Sequence, residues 1–213
     1  MQNGWREIQG NIWECSACEG NPKVERNIRQ QTDPSLTAPQ LLIVAVAPPY
    51  LPAISYKVAA KSVTNNSVDG LRKFLEDALD LPWEQLQSRG LIVLHAVKCA
   101  IIPNELGFQN PSPGIVDACA PRHLALEFDI LRPPIVLALG SAARRAIFKM
   151  PDCHKSHGIK LSGPPEGEHN VPYKGTFFKL IVTRFPRGAG KHQAKIDLTK
   201  AAALAGISRT RNT

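Results

Sequence analysis

The chain has no apolar run long enough to cross a membrane. Its longest ones, at 41–47 and 91–97, are strand-sized, well short of the ~20 residues that a bilayer helix needs. No apolar stretch of the secretory kind follows the polar opening Met1-Gln2-Asn3-Gly4-Trp5-Arg6, so no export signal is expected there. Cysteine is scarce and odd in number, with five residues. That argues against a disulfide framework and predicts a reducing, cytoplasmic setting. Acidic residues are outnumbered, 18 against 26 Lys and Arg, for a net charge of +8. Such a balance draws a protein toward polyanions, either nucleic acid or anionic membrane. No basic amphipathic helix of the membrane-surface type stands out, so nucleic acid is the expected partner, with a protein bearing no polyanionic ligand as the alternative. There is no internal repeat and no low-complexity block. A length of 213 residues suits one domain spanning 1–213. Its polar residues 1–38 are read as an N-terminal wrap outside the core.

Four of the five cysteines form a pattern: Cys15 and Cys18 as a Cys-x-x-Cys pair, then Cys99 and Cys119. Cysteines in a chain of this size are often only small buried hydrophobes. Four thiolates meeting at one point suit zinc or an iron–sulfur cluster, and the spacing does not choose between them. A zinc ribbon would carry a second close pair, whereas Cys99 and Cys119 lie far apart. Cys153 is left over as a structural thiol.

Four short runs, at 41–47, 91–97, 134–139 and 179–183, are continuously apolar rather than alternating. That pattern marks strands covered on both faces. Helix periodicity fills 67–79, 115–131, 141–148 and 193–204, and the loops at 48–66, 101–114 and 150–178 are rich in Pro, Gly, Asn and Ser. The alternation predicts a three-layer α/β/α sandwich around a four-stranded parallel sheet. Ligands of open α/β sheets bind at the carboxyl ends of the strands. Those ends here are Ala47-Pro48-Pro49-Tyr50, His95-Ala96-Val97-Lys98-Cys99, Gly140-Ser141 and Thr183-Arg184-Phe185-Pro186-Arg187-Gly188.

From about residue 12 to about residue 190 this set resembles the uracil-DNA glycosylase superfamily, and its iron–sulfur branch in particular. Cys15-x-x-Cys18 resembles the branch's first cluster pair. Residues 42–49 resemble its strand ending in a Gly-Glu-Ala-Pro-Gly loop, and Val97-Lys98-Cys99 its Val-Lys-Cys strand end. Cys119-Ala-Pro-Arg-His-Leu124, with Leu139-Gly140-Ser141-Ala142-Ala143 after it, resembles its cysteine helix and Leu-Gly-x-x-Ala turn. The resemblance implies a [4Fe–4S] cluster on Cys15, Cys18, Cys99 and Cys119, structural in role. It also implies uracil-containing DNA, single- or double-stranded, as substrate, and a monomer at work.

The chain departs from the family at its chemistry. Val46 stands where the first loop usually carries an acid, and no Asp or Glu lies anywhere in 45–66. His95 stands where an Asn commonly reads the uracil edge. Phe185-Pro186-Arg187 replaces the usual His-Pro-Ser. The resemblance therefore implies either a divergent glycosylase or a binding protein on the same frame; a zinc-stabilised basic α/β protein is a third reading. His95 is the expected catalytic and base-reading group, since a neutral imidazole offers one donor and one acceptor. It also fits a core histidine that closes a strand. Val46, Ala47, Pro48, Tyr50 and Tyr56 would line the base pocket, with Tyr56 stacking on the base face; packing on the core would suit Tyr56 almost as well. The prolines at 48 and 49 have no amide hydrogen to give, so Ala47 and Tyr50 would supply backbone donors. Arg184, Arg187, Lys191 and His192 would hold flanking phosphates, with the helix start at Ser141 as a further phosphate site. A solvated charge run is the plainer reading of that cationic cluster.

Overall fold

The structure is a computed structural model that describes residues 2–29, 38–48, 68–105, 110–151, 153 and 167–207. It opens with helix α1, Gln2–Glu14, and strand β1, Val24–Arg29. Strand β2, Leu41–Ala45, follows, then helices α2, Val68–Leu79, and α3, Trp83–Ser88. Next come strands β3, Leu91–His95, and β4, Cys99–Ile101. Helix α4, Pro113–Cys119, passes through a π turn, Ala120–Leu124, into helix α5, Ala125–Leu131. Strand β5, Ile135–Leu139, runs into helix α6, Gly140–Lys149. Strands β6, Gly167–Tyr173, and β7, Thr176–Thr183, form a hairpin, and helix α7, Gly190–Leu204, closes the described chain.

The central sheet has the order β3-β2-β5-β7-β6. Strands β3, β2, β5 and β7 run parallel, while β6 pairs antiparallel with β7. The expected sheet is thus corrected from four strands to five. The physical reason is visible in β6, Gly-Glu-His-Asn-Val-Pro-Tyr, which carries no apolar run. An edge strand needs to bury little, and it tolerates proline.

Strict alternation along the strands feeds two cores. Leu42, Val44, Leu94, Val136, Ala138, Leu180 and Val182 join α1, α4, α5 and α6 on one face. Leu41, Ile43, Leu91, Leu137 and Ile181 join α2, α3 and α7 on the other. This is the three-layer sandwich expected. Part of the N-terminal segment, expected outside the core, packs into it, however. Trp5, Ile8 and Ile12 are 1%, 3% and 0% exposed inside the first core, on the i, i+3, i+7 spacing of a helix stripe. Its polar average concealed that stripe.

Pro121 explains the π turn. Proline has no N–H for the helix ladder and crowds the preceding turn. The helix absorbs the misfit with a wider turn, in which the Ala125 amide reaches back to the Ala120 carbonyl, a feature frequent at functional sites. Cys119 sits at the start of this distortion.

Chain order also locates the crevice. The path runs from β2 out to β3, then back across β2 to β5 on its other side. The switch point therefore falls at the carboxyl ends of β2 and β5.

Candidate functional site

Two constellations stand at that end of the molecule, and the first is the crevice itself. Ala45 is paired with His95, and the pairing continues past the strand ends. The Ala96 amide donates to the Ala45 carbonyl at 2.8 Å and the Val97 amide to the Val46 carbonyl at 3.0 Å. Val46, Ala47 and Pro48 are thereby laid against the end of β3, with Val46 and Ala47 half-buried and Pro48 buried. On the far side of β5, Leu139 pairs with Thr183, so Gly140 and Ser141 adjoin Arg184 and Phe185. Gly140 has a φ of +86°, and a Cβ placed there would sit 3.6 Å from Phe185 Cβ. The left-handed turn lets α6 start hard against the β7 end.

A cascade of turn bonds orders the loop after β7. The Arg187 amide donates to the Phe185 carbonyl at 2.7 Å, the Gly190 amide to Arg187 at 3.0 Å and the Lys191 amide to Gly188 at 3.1 Å. The Arg187 guanidinium lies 5.5 Å from the Phe185 ring centroid, a cation–π contact. Arg184, Arg187, Lys191, His192 and Ser141 are all exposed. Four parallel strands at ~4.8 Å spacing set this cationic loop on the order of 15 Å from His95, a span suited to a nucleotide and its flanking phosphates. Tyr50 and Tyr56 lie outside the described residues.

His95 is half-buried. Burial drives its pKa down to about 3, and the neighbouring Lys98 ammonium adds repulsion. The ring is therefore neutral through the physiological range, as one donor and one acceptor require. The same shift links stability to pH. An unfolded histidine titrates near 6.5, so between about 6.5 and 3 the unfolded chain holds a proton that the folded chain refuses. Stability is expected to fall on acidification across that window, with a ceiling of about 1.4 kcal/mol per pH unit for one proton. Partial exposure of the residue should keep the slope below that ceiling. Denaturant midpoints at several pH values for wild type and His95→Gln check this: the variant should show a shallower acid slope, and identical slopes would refute it.

The second constellation is a small pocket lined by Cys15, Cys18, Cys99 and Cys119, together with Ile12, Ala17, Arg26, Val97, Lys98 and His123. Three structural devices assemble it. A tight turn after α1 presents Cys15 and Cys18, held by the Asn21 amide on the Cys18 carbonyl at 3.2 Å. The two-stranded ribbon β1–β4 sets Val24 opposite Ile101 and Arg29 opposite Cys99, which folds the N-terminal segment over β4. Cys119 arrives from the end of α4 and accepts the Lys98 backbone amide on its sulfur at 3.3 Å. Arg26 clamps the Cys15 carbonyl at 3.1 Å and pairs with Glu19. The fifth thiol, Cys153, is buried in the core away from the pocket.

Electrostatics at the pocket pull in two directions. Burial, with smaller contributions from the nearby Cys99 and Cys18, pushes the Cys119 thiol up to about 12 against the charge and amide of Lys98. Burial and then Cys15 raise Cys18, while Arg122 and Arg26 lower it. The four thiols are therefore near neighbours around the pocket, and a bound metal centre would take their protons. Among the described residues, no three His, Cys, Asp or Glu side chains converge at single-ion distance. Four thiols lining one pocket are a donor set that suits either zinc or an iron–sulfur cluster.

Sequence reading did not find Arg26, Arg122, His123 or Glu127. Only Lys98 left a signal, as a cation at the end of a buried strand. The chain matches the family model of the Uracil DNA glycosylase superfamily over residues 37–205. That match includes Cys99 and Cys119 but begins after Cys18. No match was found among curated proteins.

Proposed function

Because the chain belongs to the uracil DNA glycosylase superfamily, we propose that it hydrolyses the N-glycosidic bond of uracil in DNA, and of other deaminated bases, leaving an abasic site. The observation that carries this reading is a family match that spans the whole crevice, from β2 to α7. The base must leave the helix before it can be cut. Arg184, Arg187 and Lys191 would hold the flanking phosphates by charge, while the flipped base enters beside Val46, Ala47, Pro48 and His95. As the bond from the sugar C1′ to the base nitrogen breaks, its electron pair leaves with the base. Water then bonds to C1′, and the proton it gives up passes through solvent to the departed base anion, which leaves as the neutral base. His95, kept neutral, donates a hydrogen bond to a base carbonyl as negative charge develops there. With no acid between 45 and 66, donor groups aimed at the departing base would supply most of the rate. An imidazole is less selective than an amide side chain, which supports a base range wider than uracil.

Cys15, Cys18, Cys99 and Cys119 are proposed to hold a [4Fe–4S] cluster. When bound, it would tie α1, β4 and α4 together covalently and take no part in the hydrolysis. The reading also takes the protein as a monomer in a reducing compartment, on the odd number of cysteines. No helix of the described residues is long and apolar enough to cross a membrane.

The test is alkaline cleavage of single- and double-stranded oligonucleotides carrying uracil or another deaminated base. Scission at the modified base is expected, and its loss on His95→Ala. Salt-dependent binding with no scission on any substrate would favour the second reading, a DNA-binding protein without turnover, to which the acid-free loop points.

A further inference from the structure

Lys98 and Glu127 form an ion pair in the core, with side chains 1% and 0% exposed. Neither residue has a role in the reading above. Lys98 grips three elements at once. Its ammonium donates to Glu127 Oε2 on α5 and, at 2.6 Å, to the backbone carbonyl of His95. Its own backbone amide donates to Cys119 Sγ at 3.3 Å. Packing does not require such a pair. Two buried charges lose their hydration, and apolar residues of similar volume often serve stability as well or better. What an apolar pair could not do is hold a carbonyl oxygen.

That carbonyl belongs to the last residue of β3, where the chain leaves the sheet through the bends at 96–98. Fixing the peptide plane after His95 fixes the direction in which its imidazole leaves the backbone. We propose that Lys98 and Glu127 are positioning residues that set the His95 ring in the crevice and brace the strand end against α5, which continues from Cys119 through the π turn. The inference rests on the reading of His95 as the base contact. It adds that the cysteine pocket and the crevice are joined mechanically through one residue, by its ammonium on the His95 side and its backbone amide on the Cys119 side.

The experiment compares Lys98→Met, Glu127→Met and the double variant. Each single change removes the opposite charge from a buried ion and should destabilise the fold, whereas the double change should restore thermal stability close to wild type. The double variant carries the test, because it folds without the strut. On the most readily cleaved oligonucleotide its single-turnover excision rate should fall about 100-fold, the scale for a misplaced reacting group, with DNA affinity within about twofold of wild type. Wild-type excision in the folded double variant would overturn the proposal.

A second readout does not need turnover. The His95 ring carbon–proton resonance, assigned with His95→Gln, should be a single peak in wild type and shifted or multiple in the double variant. If wild type excises nothing, the glycosylase reading fails alone, and this resonance still decides the positioning claim. An unmoved resonance would reject it.

Discussion

Cys119→Ala is expected to yield protein without iron, without the brown chromophore of a cluster and with a much lower melting temperature. Cys119 is 7% exposed, ends α4 at the π turn and faces Cys18 and Cys99 across the pocket. Loss of one thiolate leaves three ligands on segments held together by the ribbon β1–β4 and by the burial of α1 in the first core. Metal binding to such a set is folding free energy. If the site contributes about 5 kcal/mol, the melting temperature should fall by about 10–20 °C for a chain of this size. Cys153→Ala is the internal control. That thiol is buried outside the pocket, so its loss should cost about 1 kcal/mol of packing and leave iron and sulfide content unchanged. Metal analysis after anaerobic purification, with scanning calorimetry, reads both outcomes. Equal iron in the Cys119 variant, or zinc in its place, would defeat the cluster assignment while leaving the crevice untouched.

Gly190→Ala is expected to weaken DNA binding about tenfold, equivalent to about 1.4 kcal/mol, in a protein that still folds. Gly190 is buried at the first position of α7. A Cβ there would lie 2.8 Å from the Phe185 carbonyl oxygen and 3.1 Å from Arg184 Cβ. The need is therefore steric: the closer atom is backbone, which cannot swing aside as a flexible side-chain tip would. The helix start must move away from the loop at 184–187, and the Gly190-to-Arg187 bond goes with it. Arg184, Arg187 and Lys191 then lose the common frame that lets them engage one phosphate run. Overpacking of this kind costs about 1–3 kcal/mol of stability, within the reach of a two-core domain. Fluorescence anisotropy with a labelled oligonucleotide, read over a salt series, separates the causes. A misplaced cation should lower the slope of log affinity against log salt by about 0.9 per lost phosphate contact. Unchanged affinity and slope would show that the loop does not meet DNA.

The parts of this protein legible in its sequence are those set by local pattern. Strands β2, β3, β5 and β7 announced themselves because a strand buried on both faces must be apolar at every position. Helix α2 did so because one face of a helix repeats every three or four residues. The cysteines were recognisable because thiolate spacing carries chemistry by itself. The parts decided only by the tertiary structure depend on partners distant in the chain. Strand β6 owes its place to β7 and not to its own polar residues. Ribbon β1–β4 joins segments about 75 residues apart, and no property of Val-Glu-Arg-Asn-Ile-Arg predicts that pairing. The burial of Trp5, Ile8 and Ile12 became visible only against α5 and the π turn. Lys98 reads as an ordinary cation until Glu127, 29 positions on, meets it in the core. Sequence thus determined which segments could be buried and which atoms could bind metal. Long-range packing decided which charges were sealed inside, and so which residues can hold His95 in place, because the free energy of a buried charge depends almost entirely on what lies beside it.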